Sequence, residues 1–198
     1  MSAAEVSDSI LFRAKASISG LVDLSRAKIG GRVEFSDTTV RTARDSFAIR
    51  MEAADVGESV VFDRGTVITG AIEVRAKVRG QVEVRETEVY AEADRSAVLM
   101  QRAAVAGSVV IGPKTRIVGT VSMQAKVGGS VRLVGTTVTA QSGMVAVDLE
   151  GAEVGGSLHF GAQTSIKGSI DLKGKVKGNV LFWDVKVDND KVQKAVTL

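Results

Sequence analysis

Val127–Leu133 reads VGGSVRL, and this seven-residue phrase decides the fold. Its apolar residues alternate with small or polar ones around a glycine, the period-two pattern of a strand with one buried face. Outward from it the same phrase, apolar-x-Gly-x-apolar-x-apolar, returns along the whole chain. Toward the N-terminus it reads IVGTVSM from Ile117, VAGSVVI from Val105, VRGQVEV from Val78, ITGAIEV from Ile68, IGGRVEF from Ile29 and ISGLVDL from Ile18. Toward the C-terminus it reads VGGSLHF from Val154, IKGSIDL from Ile166 and VKGNVLF from Val176. VSDSILF from Val6 and VGESVVF from Val56 carry an acid in the glycine slot.

The starts obey a longer period. Val56, Val105 and Val154 stand 49 apart, as do Ile29, Val78, Val127 and Val176. Each unit holds a short coil (56–77) and a long coil (78–104), and the long coil replaces its second glycine phrase with segments such as TEVYAEADRSAVLM. Neither leaves room for a crossover helix, so coil must stack on coil. The expectation is an all-β, single-stranded parallel β-helix of eight coils, one domain over 1–198 with units 2–55, 56–104, 105–153 and 154–198. At strand spacing the rod is about 38 Å long.

Three columns test that register. One inward slot holds Phe12, Phe35, Phe62, Val84, Ile111, Leu133, Phe160 and Phe182. A second holds Thr38, Thr66, Thr87, Thr115, Thr136 and Thr164, each two residues before an inward apolar residue. That places them inside or at a corner, not in the flat outward ranks of an ice-binding face. The third precedes each coil and alternates in charge: Glu5, Lys28, Asp55, Lys77, Ala104, Lys126, Glu153, Lys175. Beside it runs Arg26, Glu52, Arg75, Gln101, Gln124, Glu150 and Lys173. The plain reading is an ion-pair ladder that fixes coil order, each exposed pair adding about 0.2–1 kcal/mol. The sharper reading makes Lys28, Lys77, Lys126 and Lys175 an anion-facing column for a polymer or lipid surface.

Composition narrows the function. The 198 residues are 44% hydrophobic with 21 glycines, a single proline (Pro113), no cysteine and a net charge of +3. Disulfides and thiolate metal sites are excluded, and so mild a charge calls for no polyanionic partner. The opening MSAAEVSDS has neither a basic nor an apolar leader region, and no apolar run approaches a membrane span. A cytoplasmic protein is expected, with membrane association left open. His159 is the lone histidine and reads as a surface residue, so no His-rich metal site or catalytic triad can be assembled. Gly30-Gly31, Gly128-Gly129 and Gly155-Gly156 are repeat glycines without the helix a phosphate loop needs. Trp183 and Tyr90 stand apart, which argues against nucleic acid. The acids read as scattered, whereas a glycan-cleaving β-helix needs them clustered. No catalytic residue, cofactor or metal is therefore expected.

The phrases VGGSVRL, GSIDLKGKVKGNV and AIEVRAKVRGQVEV resemble the glycine-punctuated repeats of bactofilins, bacterial cytoskeletal proteins. That resemblance implies a right-handed β-helix that polymerises end to end without nucleotide. The double-coil unit also resembles long bacterial repeat proteins labelled membrane-associated oxidoreductases, although no cofactor site is legible here. Bactofilin coils are shorter and more uniform than these.

The chain runs in phase with its own repeat. Leu198 aligns with Leu149, and Ser2–Val6 supply the slots of Glu150–Val154. One molecule's start is thus expected to complete another's last coil, with Val6, Ile10 and Phe12 meeting Val192, Val196 and Leu198. The leading expectation is a non-catalytic, self-assembling structural element whose partner is itself. The alternative is an adaptor rod that recognises a protein, glycan or anionic lipid surface through one face.

Overall fold

A computed structural model describes residues 4–92, 94–189 and 195–197. Among them every regular element is a strand, and every pairing is parallel between neighbouring coils. Each coil passes through four strands in turn, so four eight-stranded sheets enclose the core. Sheet A collects two-residue strands from Glu5–Val6 to Lys175–Val176, and sheet B runs from Ile10–Phe12 to Val180–Phe182. Sheet C runs from Ser17–Ser19 to Val185–Asp188, and sheet D from Val22–Asp23 to Val196–Thr197. The molecule is the expected β-solenoid of eight coils.

Burial follows the columns. The phenylalanine column is one continuous set of register partners through sheet B, from Phe12 beside Phe35 to Phe160 beside Phe182. Phe35, Phe62 and Phe160 are fully buried, and ring centroids lie 4.5 Å apart for Phe12–Phe35 and 4.7 Å for Phe160–Phe182. An alanine column (Ala27, Ala54, Ala76, Ala103, Ala125, Ala152), each residue just before a sheet A strand, is buried.

The threonines are buried, which disposes of an ice-binding face. They do not bond to one another. Thr38, Thr66, Thr115, Thr136 and Thr164 each donate Oγ1–H to the carbonyl of the phenylalanine-column residue one coil back, at 3.0–3.2 Å. A buried hydroxyl thereby finds its acceptor in a corner carbonyl, and the Val84, Ile111 and Leu133 carbonyls also accept the N–H of Gly112, Val134 and Gly161. Serines do the reverse at the entry to sheet B. Ser9, Ser59, Ser108, Ser130 and Ser157 accept the N–H of Arg32, Gln81, Ser130, Ser157 and Asn179 in the next coil, at 3.0–3.2 Å.

The difference between short and long coils sits at the corner between sheets C and D. In short coils one glycine turns it: Gly20, Gly70, Gly119 and Gly168 have φ of +115°, +110°, +115° and +123°, a region closed to most L-residues. In long coils a longer connection takes the place of that glycine, residues 42–46 and 140–144 lying between the sheet C and sheet D strands in two of them. Successive loops touch, with Glu92 N–H donating to the Arg44 carbonyl at 3.2 Å.

Candidate functional site

On sheet A the charged column has the expected register. Glu5 faces Lys28, Lys28 faces Asp55, Asp55 faces Lys77, Lys77 faces Ala104, Ala104 faces Lys126, Lys126 faces Glu153 and Glu153 faces Lys175. The four lysines nonetheless differ. Lys28 Nζ lies 2.7 Å from Glu5 Oε1, and Lys126 lies 3.3 Å from Glu153. The hydrogen bond and charge of Lys28 hold the Glu5 carboxyl below its usual range, and Glu5 raises Lys28 in return. Asp55 is taken by Arg79 at 3.5 Å, so Lys77 makes no ion pair among the described residues. Lys175 makes none either, because Glu153 leans toward Lys126.

In four of the eight coils the second outward slot of sheet A is a glycine: Gly30, Gly57, Gly128 and Gly155. A Cβ on Gly155 would sit 2.3 Å from the Gly128 carbonyl oxygen of the preceding neighbour strand, a contact only glycine avoids. The tandem glycines are thus close-approach positions of the solenoid.

Sheet B corrects the expectation that the acids are scattered. Its central outward column reads Leu11, Glu34, Val61, Glu83, Val110, Arg132, His159, Leu181. In the first four coils an open groove gathers Glu34, Glu58, Asp63 and Glu83 with Arg13, Arg32, Arg64 and Arg85. Glu34 is only 9% exposed and receives both Arg13 nitrogens, at 2.7 and 2.8 Å, while Arg32 lies 2.9 Å away. The Arg13 hydrogen bonds hold its carboxyl below the usual range against the opposing effect of burial, and the Arg32, Arg13 and Arg64 charges assist. Glu83 pairs with Arg85. A carboxylate committed to guanidinium groups in this way is a poor proton donor, whereas glycoside hydrolysis needs an acid whose pKa is raised. Among the described residues no group of His, Asp and Glu is arranged to hold a metal ion. His159 is half-buried, outward between Arg132 and Leu181.

Sheet D holds a second network that sequence reading missed. Glu73 is 3% exposed, with Arg50 Nε at 3.3 Å and Arg75 Nε at 3.0 Å.

Of the residues expected at the ends, Val6, Ile10 and Phe12 are half-buried in the first coil and Val196 is half-buried in the last; Val192 and Leu198 lie outside the described residues. The last coil also leaves Val180, Leu181, Phe182 and Trp183 exposed, and the first leaves Leu11 exposed. No helix among the described residues is long and apolar enough to cross a membrane. No protein-family model matches the chain, and no curated protein matches it.

Proposed function

We propose that the protein is a non-catalytic structural rod that assembles end to end, coil on coil, into filaments. One observation carries this reading: the two end surfaces belong to the same columns. A last coil laid on the first coil of a second copy puts Val176 beside Val6, Val180 beside Ile10, Phe182 beside Phe12 and Val196 beside Val22. Outside, Lys175 comes beside Glu5 and continues the charge alternation, and Leu181 (45% exposed) comes beside Leu11 (44% exposed). The core contacts and the Lys175–Glu5 pair repeat kinds already made between coils inside the molecule. Open parallel edges supply the unpaired N–H and C=O groups, and burial of the apolar layer supplies about 25 cal/mol per Å². The contact is heterologous and translates along the rod axis, so it does not close into a ring. End-to-end polymers are also what the bactofilin resemblance implies.

Sedimentation and electron microscopy of the purified protein test this. Wild type forms concentration-dependent filaments, and Ile10→Lys or Phe182→Glu, each placing a charge in one end layer, holds the protein as monomers. A wild type that stays monomeric at high concentration, or filaments that persist in both variants, overturns the reading. The second reading, an adaptor rod, draws support from the uneven charge of sheet A.

A further inference from the structure

Sheet A shows two outward columns. The charged one is flanked, two residues later in each coil, by Ser7, Gly30, Gly57, Arg79, Ala106, Gly128, Gly155 and Lys177. Acids do not punctuate this side evenly. Glu5 and Asp55 serve the first three coils and Glu153 the seventh, but the fifth coil has Ala104 where the alternation calls for a carboxylate. Coils four to six therefore present Lys77 together with Arg79, which also reaches Asp55, and Lys126, which also reaches Glu153, around a depression floored by Ala104, Ala106 and Gly128. A second depression adjoins it, bounded by Lys126, Lys175 and Lys177 with Glu153 as the sole acid. The cations recur every second coil, about 9.6 Å along the axis at strand spacing.

We propose that sheet A over coils four to eight binds a linear acidic polysaccharide laid along the rod axis. Its carboxylates or sulfates sit at Lys77 and Arg79, at Lys126, and at Lys175 and Lys177, and the C–H faces of its sugar rings rest on the alanine and glycine floor. Two features of the surface favour this ligand over nucleic acid and over a bilayer. Nucleic acid held without sequence readout uses aromatic platforms for its bases, and no aromatic side chain belongs to either outward column. A bilayer surface takes up large apolar side chains next to the cations, and neither outward column of sheet A carries one. The trough is also narrow, because each strand of sheet A is two residues long. Lys77, Arg79 and Lys126 lie on the flank of the rod away from the proposed end-to-end junction, at which Lys175 meets Glu5 of the next copy.

The test restores the missing acid. Ala104 is exposed and has Lys77 and Lys126 as its register neighbours, so Ala104→Glu extends the existing alternation without touching the core. Polygalacturonate is titrated into wild type, Ala104→Glu and Lys28→Gln by calorimetry at low and at raised salt. Wild type binds, and binding weakens with salt. Ala104→Glu binds roughly tenfold more weakly, the order expected for the loss of several exposed charge contacts. Lys28→Gln, outside the trough, binds as wild type does. The proposal is overturned if wild type does not bind polygalacturonate, if Ala104→Glu leaves binding unchanged, or if Lys28→Gln weakens it equally. It is also overturned if phosphatidylserine vesicles are bound through Lys77 and Lys126 while polygalacturonate is not.

Discussion

Sheets A and B are stacked from the same coils, yet their outer faces handle charge differently. On sheet A the Lys28–Glu5 and Lys126–Glu153 pairs are axial, one residue reaching its register partner in the next coil, and the Lys28 and Glu5 side chains stay in water at 67% and 68% exposed; Arg79–Asp55 runs diagonally between the two outward columns. On sheet B the charges converge. Glu34 is nearly covered and answers Arg13 from the preceding coil and Arg32 from its own. An axial ladder screened by solvent contributes register and little stability. A covered carboxylate that accepts two charge-assisted hydrogen bonds from Arg13 and pairs with Arg32 becomes part of the fold, although both guanidinium side chains remain nearly half exposed. The repeat fixes where a column runs. Whether that column is a ladder or an anchor depends on its lateral neighbours.

The largest effect should come from the layer both faces share. Phe62 is fully buried between Phe35 and Val84. Phe62→Ala should cost about 3–5 kcal/mol in denaturant unfolding, with both faces lost together in one transition. Two separate transitions would show that the faces are not tied through the column. Next comes the anchor itself. Glu34→Gln removes the carboxylate from Arg13 and Arg32 and should cost about 1–3 kcal/mol. Glu153→Gln on sheet A removes an exposed pair with Lys126 and should cost less than about 1 kcal/mol. Equal losses in the two variants would erase the distinction between the faces.

What the sequence discloses follows the same division. Columns are legible because the period of the phrase is the period of the coil, so the partners of Phe62 and of Lys28 follow from aligning repeats. The inward placement of Thr66 is legible too, but not its acceptor, since a backbone carbonyl leaves no mark in the sequence. The serines at 9, 59, 108, 130 and 157 occupy one repeat slot; that recurrence was the available signal for their role in accepting the next coil's N–H. The corner loops had a signal as well, because Gly20, Gly70, Gly119 and Gly168 share a slot that long coils lack. The Arg13–Glu34 contact had none. It crosses from one column to another, and the crossing is set by side-chain reach across neighbouring strands.

Acid should separate the faces by a smaller margin. Glu34 titrates below its ordinary value of 4.5 in the folded protein, because Arg13 binds its ionised form. A carboxyl depressed by folding stabilises the fold fully at pH values above that ordinary range. The contribution is then lost as pH falls through the lowered folded value. Thermal unfolding followed from neutral pH downward should therefore show an acid-side decline that is shallower in Glu34→Gln than in wild type. Glu5→Gln should change that decline much less, since Glu5 and its partner stand in water. A decline that flattens as much for Glu5→Gln would place the acid sensitivity on the ladder.

The smallest effect lies within sheet A and asks whether its ladder is one object. Lys28 has Glu5 at 2.7 Å and Asp55 as its other register neighbour, while Lys77 shares Asp55 with Arg79 and faces Ala104 on its far side. Lys28→Gln should therefore lower stability slightly at low salt, and raised salt should remove the difference as the Lys28–Glu5 attraction is screened. Lys77→Gln should leave stability unchanged within about 0.5 kcal/mol at either salt. Lys77→Glu should go further and destabilise slightly at low salt by setting a like charge beside Asp55, an effect that salt also erases. Melting each variant at two ionic strengths reads all three. A uniform ladder would give Lys28→Gln and Lys77→Gln the same small, salt-dependent loss. A divided one gives that loss only at Lys28, and leaves the Lys77 charge without a structural use within the molecule.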